Sequence, residues 1–562
     1  MKKWSASTKI VVLLVIVLIG WLVGQSVHYD RLAATIAHQV ATPAAVQAER
    51  ALIIKKKLAR LFKDRPAQAK KQAIRTAQVF AADRSIVAVE EHHLSMAEAA
   101  SGALVEFLSD LELPVRAAAA DALGRMGKPA ARPLIDGALS SPDKDVRTNA
   151  TRALQAIGDV AVPEMMDAVA GGSPSQKIGC ATAIGKLNSA RAVDALIGSL
   201  SAKEEEVRMA CRDALVVVGR SKTKGPNPAL QPLIKALANA DAFTRQHASE
   251  ALGEIGDPQA SPGLLKILDD PNRLVQLAAT YAVGKVKDRA AVPPLIAKLT
   301  TKDRVVREAA ATSLGQLGDP AAVMPLVAAL KDPVDKVREQ AAASLGRIAP
   351  KDAAALAAIS AAAQSADEGT RGAAVFALGR IANPAAVPAI AQRLNPASET
   401  SPAIRTRAAQ ALGNLQSAAG VEALVTALSD SDWRVNYAAE AALSALGKLA
   451  QPRLTALLGA ADPLTARYAR KALVHMSPPP TAALTQLLTT APAEARLSIT
   501  LALGEIHDAA AQTTLQSLTV DPDPKVAVAA KAGLSARGGS EDSGGIGAPT
   551  PADVPPAEPA KP

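Results

Sequence analysis

Aromatic side chains are scarce in this 562-residue chain: three Trp, four Tyr and five Phe, or 2% of the residues. Hydrophobic residues nevertheless make up 49%, so a core must be assembled from Ala, Leu, Val and Ile. That palette suits thin, closely packed helices. Cysteine is nearly absent too. The two present, Cys180 and Cys211, fall at one position of consecutive repeats, and equivalent helices in such stacks lie about 8–10 Å apart. That is beyond the usual Cα reach of a disulfide, so both read as small buried thiols, and they leave the redox compartment undecided.

Signatures of chemistry are also missing. No P-loop glycine pattern, paired-cysteine zinc motif or G-x-S-x-G elbow occurs. None of the seven histidines is followed by Glu, and His247 with Glu250 is one isolated pair at helical spacing, read as an exposed helix face. No residue is nominated for catalysis, for a cofactor or for a metal. An excess of one charge is lacking over most of the chain as well. Residues 1–96 hold 15 Lys and Arg against 6 Asp and Glu, and the remainder holds 48 against 47, within a net charge of +10. An array gripping phosphates should carry a basic face of its own, so nucleic acid is disfavoured as a partner.

What is present is a repeat, the feature to settle first because it decides the fold. The phrase "VREAAATSLGQLGDP" beginning at Val306 returns as "VREQAAASLGRIAP" at Val337, 31 residues on. Anchored on its central Leu, the phrase recurs at Leu123, Leu154, Ile184, Leu215, Leu252, Val283, Leu314, Leu345, Leu378, Leu412, Leu443, Leu473, Leu503 and Leu534. Fourteen units therefore fill roughly residues 97–536. Within one unit, Val306, Ala309, Ala310, Ser313, Leu314 and Leu317 form a stripe at spacings of three and four, and Val323, Leu326, Val327 and Leu330 form a second. Each unit is thus expected to be two antiparallel helices. Gly318 can take the left-handed cap of the first, Asp319 can cap the second, and Pro320 fits its first turn. Glycines such as Gly253, Gly315, Gly346 and Gly413 let neighbouring helices approach.

Before the array, Lys2, Lys3 and Lys9 precede an uncharged run from Ile10 to Val27. An 18-residue helix of about 27 Å nearly spans a hydrocarbon core, and no small-x-small cleavage site lies close by. The expectation is a short basic cytoplasmic segment 1–9, a signal anchor 10–27 and a juxtamembrane helical segment 28–96 with a degenerate capping repeat. Positive charge stays cytoplasmic, which puts a single-pass protein in the cell inner membrane with periplasmic repeats. Cytoplasm-facing repeats, or secretion after cleavage, are the alternatives. The basic tract in 50–75, with Lys55, Lys56, Lys57, Arg60 and Lys63, reads as a solvated helix face, with an anionic-lipid contact as the alternative. Residues 537–562, rich in Gly, Pro and Ala, are expected to be a disordered tail.

The pattern VRxAAAxALGxxGDPxAxxPLxxxLxD resembles HEAT repeats, in particular the short HEAT-like repeats first associated with phycobilisome lyases. The resemblance covers about 440 of the 562 residues. It implies an all-α, right-handed solenoid of about fourteen helix pairs whose second helices line a concave, partner-binding surface. HEAT-like deoxyhypusine hydroxylase needs His-Glu pairs for iron, which are missing, and HEAT-like DNA glycosylases would want a basic, aromatic face. A lyase-type role on a protein-bound cofactor stays as an alternative, one that a reactive Cys180 would favour.

Two sets of residues then stand out. Arg116, Arg147, Arg208, Arg245, Arg307, Arg338, Arg371, Arg405 and Arg496 recur just after the opening residue of the second helix, with acids such as Asp143, Asp145, Glu204, Asp241, Asp303, Asp335 and Asp367 two to six residues before them. The expectation is a structural ladder of Arg–Asp contacts, with a phosphate-binding stripe as the alternative. Leu277, Tyr281, Phe376, Tyr437 and Leu497 hold the third and seventh positions of the phrase, outside the core stripe, and Trp433 sits just before Val435. Aromatic anchors are favoured in interfaces, so these six are the candidate partner-binding residues of a protein-interaction scaffold; filling of gaps between Ala-rich helices is the competing account. Two loops break the period, "GRSKTKGPNPAL" after Val218 and "NPASETSPAIR" before Arg405, and are read as surface drift.

Overall fold

The computed structural model describes residues 101–102, 104–221, 226–348 and 352–538. The expected anchor 10–27, the segment 28–96 with its basic tract, and residues 539–562 of the expected tail lie outside the described residues.

Among the described residues all regular structure is helical. Fourteen long helices recur: α1 (Leu113–Met126), α2 (Lys144–Ile157), α3 (Pro174–Leu187), α4 (Glu205–Arg220), α5 (Ala242–Ile255), α6 (Arg273–Val286), α7 (Arg304–Leu317), α8 (Asp335–Ile348), α9 (Glu368–Ile381), α10 (Pro402–Asn414), α11 (Trp433–Leu446), α12 (Pro463–Val474), α13 (Ala493–Glu505) and α14 (Pro524–Gly538). Shorter helical pieces separate them. The chain divides into two compact units, the first ending at Ala282 and the second beginning at Val283. Within each, a long helix packs on the next long helix and on its own short partner, as α10 does on α11 and α1 on α2. Each unit is therefore a stack of helix pairs.

The helix α7 buries Val306, Ala309, Ala310, Ser313 and Leu314 of the stripe read from spacing, while Leu317, at its last turn, is half-buried. Its partner Val323–Ala329 buries Val323, Leu326 and Val327 and is entered through a 3-10 turn, Pro320–Ala322. A fully buried Leu or Val contributes roughly 1.5–3 kcal/mol. Gly318 stands at φ +67° and closes α7, after which the Asp319 carboxylate accepts from the Ala321 amide. Close approach is visible at Gly413, where a Cβ would lie 2.9 Å from the Cβ of Ala442 on the next helix. The last helix runs to Gly538, two residues into the expected tail, and the Arg537 guanidinium donates to the carbonyls of Leu503 and Ile506.

The assignment to the inner membrane with periplasmic repeats is corrected. No helix among the described residues is long and apolar enough to cross a membrane. The physical reason is length and composition: the long helices have 12 to 16 residues and carry charged side chains, whereas a span needs about 20 mostly apolar ones. The transmembrane helix expected before the solenoid falls on residues 10–27, outside the described residues, and nothing described supports it.

Candidate functional site

The arginine ladder exists, but its acids are different ones. Arg245 places Nε and Nη2 2.8 and 2.9 Å from the two carboxylate oxygens of Asp270. Arg307 grips Asp332 (2.6 and 3.0 Å), Arg371 grips Glu399 (2.7 and 3.0 Å) and Arg405 grips Asp430 (2.7 and 2.8 Å) in the same forked way. Arg496 pairs with Asp521. Each acid belongs to the loop before the next long helix, 25 residues beyond its Arg or, for Glu399, 28. The fork geometry matches a planar guanidinium to a carboxylate. In the four forked arginines, Arg245, Arg307, Arg371 and Arg405, Nη1 also donates to two carbonyls of its own loop, as Arg405 does to Glu399 and Thr400. Hydrogen bonding from Arg245 holds the Asp270 carboxyl below its ordinary range and raises the guanidinium in turn.

The acids expected as partners mostly do something else. Asp143, Asp241, Asp303 and Asp367 cap the following helix by accepting from a backbone amide. Asp335 does pair with Arg338, and Asp145 with Arg116 of the preceding repeat. Arg147 is held by the carbonyls of Ser141 and Pro142. With the forks of Arg245, Arg307, Arg371 and Arg405 occupied, a phosphate-binding stripe is not what this ladder builds. The loop "NPASETSPAIR" is not drift either. It supplies Glu399, whose side chain is fully buried and also lies 3.7 Å from Arg393. A register rule would have found these acids: they sit thirteen residues before the anchor Leu, and the Arg seven before.

His247 departs from expectation as well. It is buried, not part of an exposed face. Its Nε2 accepts from Arg208 Nε at 3.3 Å, which places the imidazole proton on Nδ1, 3.1 Å from Glu250 Oε2. Arg208 also stacks over the Phe243 ring, 4.1 Å from its centroid. Burial raises the Glu250 carboxyl, but hydrogen bonds from His247, Gln246 and Arg212 outweigh it and bring the group down to about 2. Among the described residues no group of His, Cys, Asp and Glu could hold a metal ion. Cys180 and Cys211 are buried and unbridged, and burial pushes each thiol up to about 12, with Asp136 adding to the effect at Cys180. A thiol held protonated is a poor nucleophile, so Cys180 gives a lyase-type chemistry no support.

The six candidate surface residues separate into groups. Trp433 (70% exposed) and Tyr437 (61%) stand one turn apart on α11. Leu277 and Tyr281 stand one turn apart on α6, each half-buried. Phe376 on α9 is half-buried with the Arg407 guanidinium 6.0 Å from its ring centroid, and Leu497 on α13 is half-buried. Met209, Leu501 and Val528 occupy the same two phrase positions and are exposed; counting phrase position rather than ring chemistry would have added them.

Around Trp433 and Tyr437 the surface is concave. An open groove of about 780 Å³ runs between α10 and α11, lined by Thr406, Gln410 and Asn414 on one side and Trp433, Tyr437 and Ala441 on the other. Gln410 and Asn414 are exposed and one turn apart, and neither side-chain amide is engaged by another described residue. A second hollow on the far side of Tyr437 contains Glu440, buried, with His475 Nδ1 2.7 Å from its Oε1. At α11 the ladder position holds Asn436 instead of Arg, its amide donating to the Leu428 and Asp430 carbonyls.

The HEAT-repeat family profile matches residues 101–176, 218–282, 261–346, 323–399 and 397–474, more than half the chain. The protein belongs to the HEAT-repeat family. No curated protein matches it. Among solved structures it is similar to Kap95p, in a structure describing that protein's binding to RanGDP, at 15% identity over 91% of this chain and 81% of the other, with a TM-score of 0.43. It is also similar to importin beta, at 16% identity over 93% and 87% with a TM-score of 0.41. Human deoxyhypusine hydroxylase matches 47% of this chain and 98% of its own at 23% identity and a TM-score of 0.22. Likenesses this distant bear on neither the partner nor the activity of this chain.

Proposed function

We propose that this protein is a HEAT-repeat scaffold that binds protein partners through the solvent-facing side of its long helices, with the α10–α11 groove as a principal contact. One observation carries the reading: in a chain with 2% aromatic residues, Trp433 and Tyr437 are held exposed, side by side, over a groove. Leaving two large rings in water forgoes burial worth a few kcal/mol, and aromatic anchors beside polar groups are the usual make-up of an interface hot spot. The ladder arginines, the buried His247 and the thiols are all engaged in structure, which leaves this face as the part of the array available to a partner.

The test is photocrosslinking in the native host, with p-benzoylphenylalanine in place of Tyr437 or, as a control, of exposed Val160 in the first unit. The expected result is a discrete adduct from position 437 that disappears with Trp433→Ala and is absent from position 160. The same adduct pattern from both positions would overturn the reading.

A further inference from the structure

We propose that the α10–α11 groove is a docking site for polyproline-II segments and that its resident occupant is the chain's own C-terminal stretch, Pro549–Pro562. The proposal rests on the reading of this groove as a binding surface and goes further by naming what fills it.

The groove has the two features that such a segment needs. Trp433 and Tyr437 offer flat apolar faces, and Gln410 and Asn414 offer unengaged amide donors across from them. A polyproline-II strand makes no internal hydrogen bonds, so its carbonyls are free to accept, and its ring faces pack on aromatic grooves. Proline lacks an N–H, so donors rather than acceptors are the right complement.

The sequence beyond Gly538 supplies a matching ligand. Pro556, Pro559 and Pro562 are spaced by three, with Pro549, Pro551 and Pro555 before them. Polyproline II has three residues per turn and rises about 3.1 Å per residue, so in a ligand of that conformation prolines spaced by three share one edge at intervals of about 9 Å. On α11 the distance from the midpoint of Trp433 and Tyr437 to Ala441 is six residues, also about 9 Å. A proline seated between the rings thus sets the next one over a small side chain.

The reach is sufficient. α14 packs on α13, α13 on α12 and α12 on α11, three steps of about 8–10 Å each, or roughly 24–30 Å. The 17 residues between Gly538 and Pro556 extend to about 56 Å. An attached ligand also acts at a high effective concentration, which favours the chain's own segment over a free peptide of the same sequence.

The experiment uses the full chain with Trp4→Phe and Trp21→Phe, which leaves Trp433 as the one tryptophan of three. Its emission maximum and acrylamide quenching are compared with and without Pro556→Ala, Pro559→Ala and Pro562→Ala together. Docking predicts a red shift and stronger quenching when the prolines are lost. A synthetic peptide of residues 548–562 should reverse both changes in the substituted chain, bind the unsubstituted chain more weakly, and bind neither when Tyr437→Ala is added. Identical emission and quenching in the two chains would overturn the proposal. Equal peptide affinity for both would do so as well, by showing an unoccupied groove whose proline-rich ligand lies on another protein. A partner adduct at position 437 that survives such a failure leaves the scaffold reading standing alone.

Discussion

At the scale of single residues, the ladder shows how a buried charge is made tolerable. Arg405 and Asp430 have side chains only 4% and 1% exposed. Their mutual fork, the Asp432 amide donating to Asp430 and the two loop carbonyls accepting from Arg405 leave little bonding capacity unused. Removing one partner strands the other. Arg405→Leu should cost about 3–5 kcal/mol, whereas Arg405→Leu combined with Asp430→Asn should cost less, because no uncompensated ion remains. Urea midpoints of the two variants decide this, and equal losses would show that Asp430 finds water when Arg405 is gone. Glu250 makes the pH-dependent counterpart. Its folded carboxyl lies at about 2 against an ordinary 4.5, a depressed acid, so its contribution is complete above about pH 4.5 and is lost as pH falls toward 2. Glu250→Gln should therefore destabilise by about 1–3 kcal/mol above pH 5, and the gap to the parent should close between pH 4.5 and 2 in the same urea titration.

At the scale of the element, one position four residues beyond each anchor ends most long helices in the left-handed region. Gly256 and Gly318 fill it without strain, but Ala382 stands there at φ +54°. An L residue with a Cβ is disfavoured in this region by roughly 1–2 kcal/mol, so Ala382→Gly should raise stability by about 0.5–1 kcal/mol, net of the entropy glycine adds to the unfolded chain. A lowered melting temperature would refute it. The opposite change at Gly413 forces a Cβ to 2.9 Å from that of Ala442, and Gly413→Ala should cost about 1–3 kcal/mol by overpacking. These helices, their caps and their close approaches were legible in the sequence because each is set by local spacing of three, four and thirty-one. The acids of the ladder were not, since Asp270, Asp332, Glu399 and Asp430 meet their arginines only through stacking of adjacent pairs. His247 was misjudged for a related reason: its burial comes from Arg208 on the neighbouring helix, not from its own flanks. Trp433 and Tyr437 were found from rarity and position, but the amides facing them from α10 were not, because the groove is a property of two helices.

At the scale of the whole molecule, the sequence pattern misled where it was read as an address. An apolar N-terminal run suggested a membrane, while the described residues contain no helix long and apolar enough to cross one, and their helices pack on one another. What a stack of pairs does imply is that damage stays local, since each repeat touches only its neighbours and stability is a sum of intrinsic and nearest-neighbour terms. Leu443, in α11, is fully buried, and Leu443→Ala should remove about 2–5 kcal/mol from the pairs it joins. Hydrogen exchange resolves where that loss is felt. Amides of α10, α11 and α12 should lose protection most, with α13 less affected and α8 least, because the perturbation must pass through intact interfaces to reach them. Uniform loss from α7 to α14 would mean that the second unit unfolds as one cooperative block. In that case a partner binding in the α10–α11 groove would stabilise every helix of the unit equally, and the same exchange measurement with the partner bound would show it.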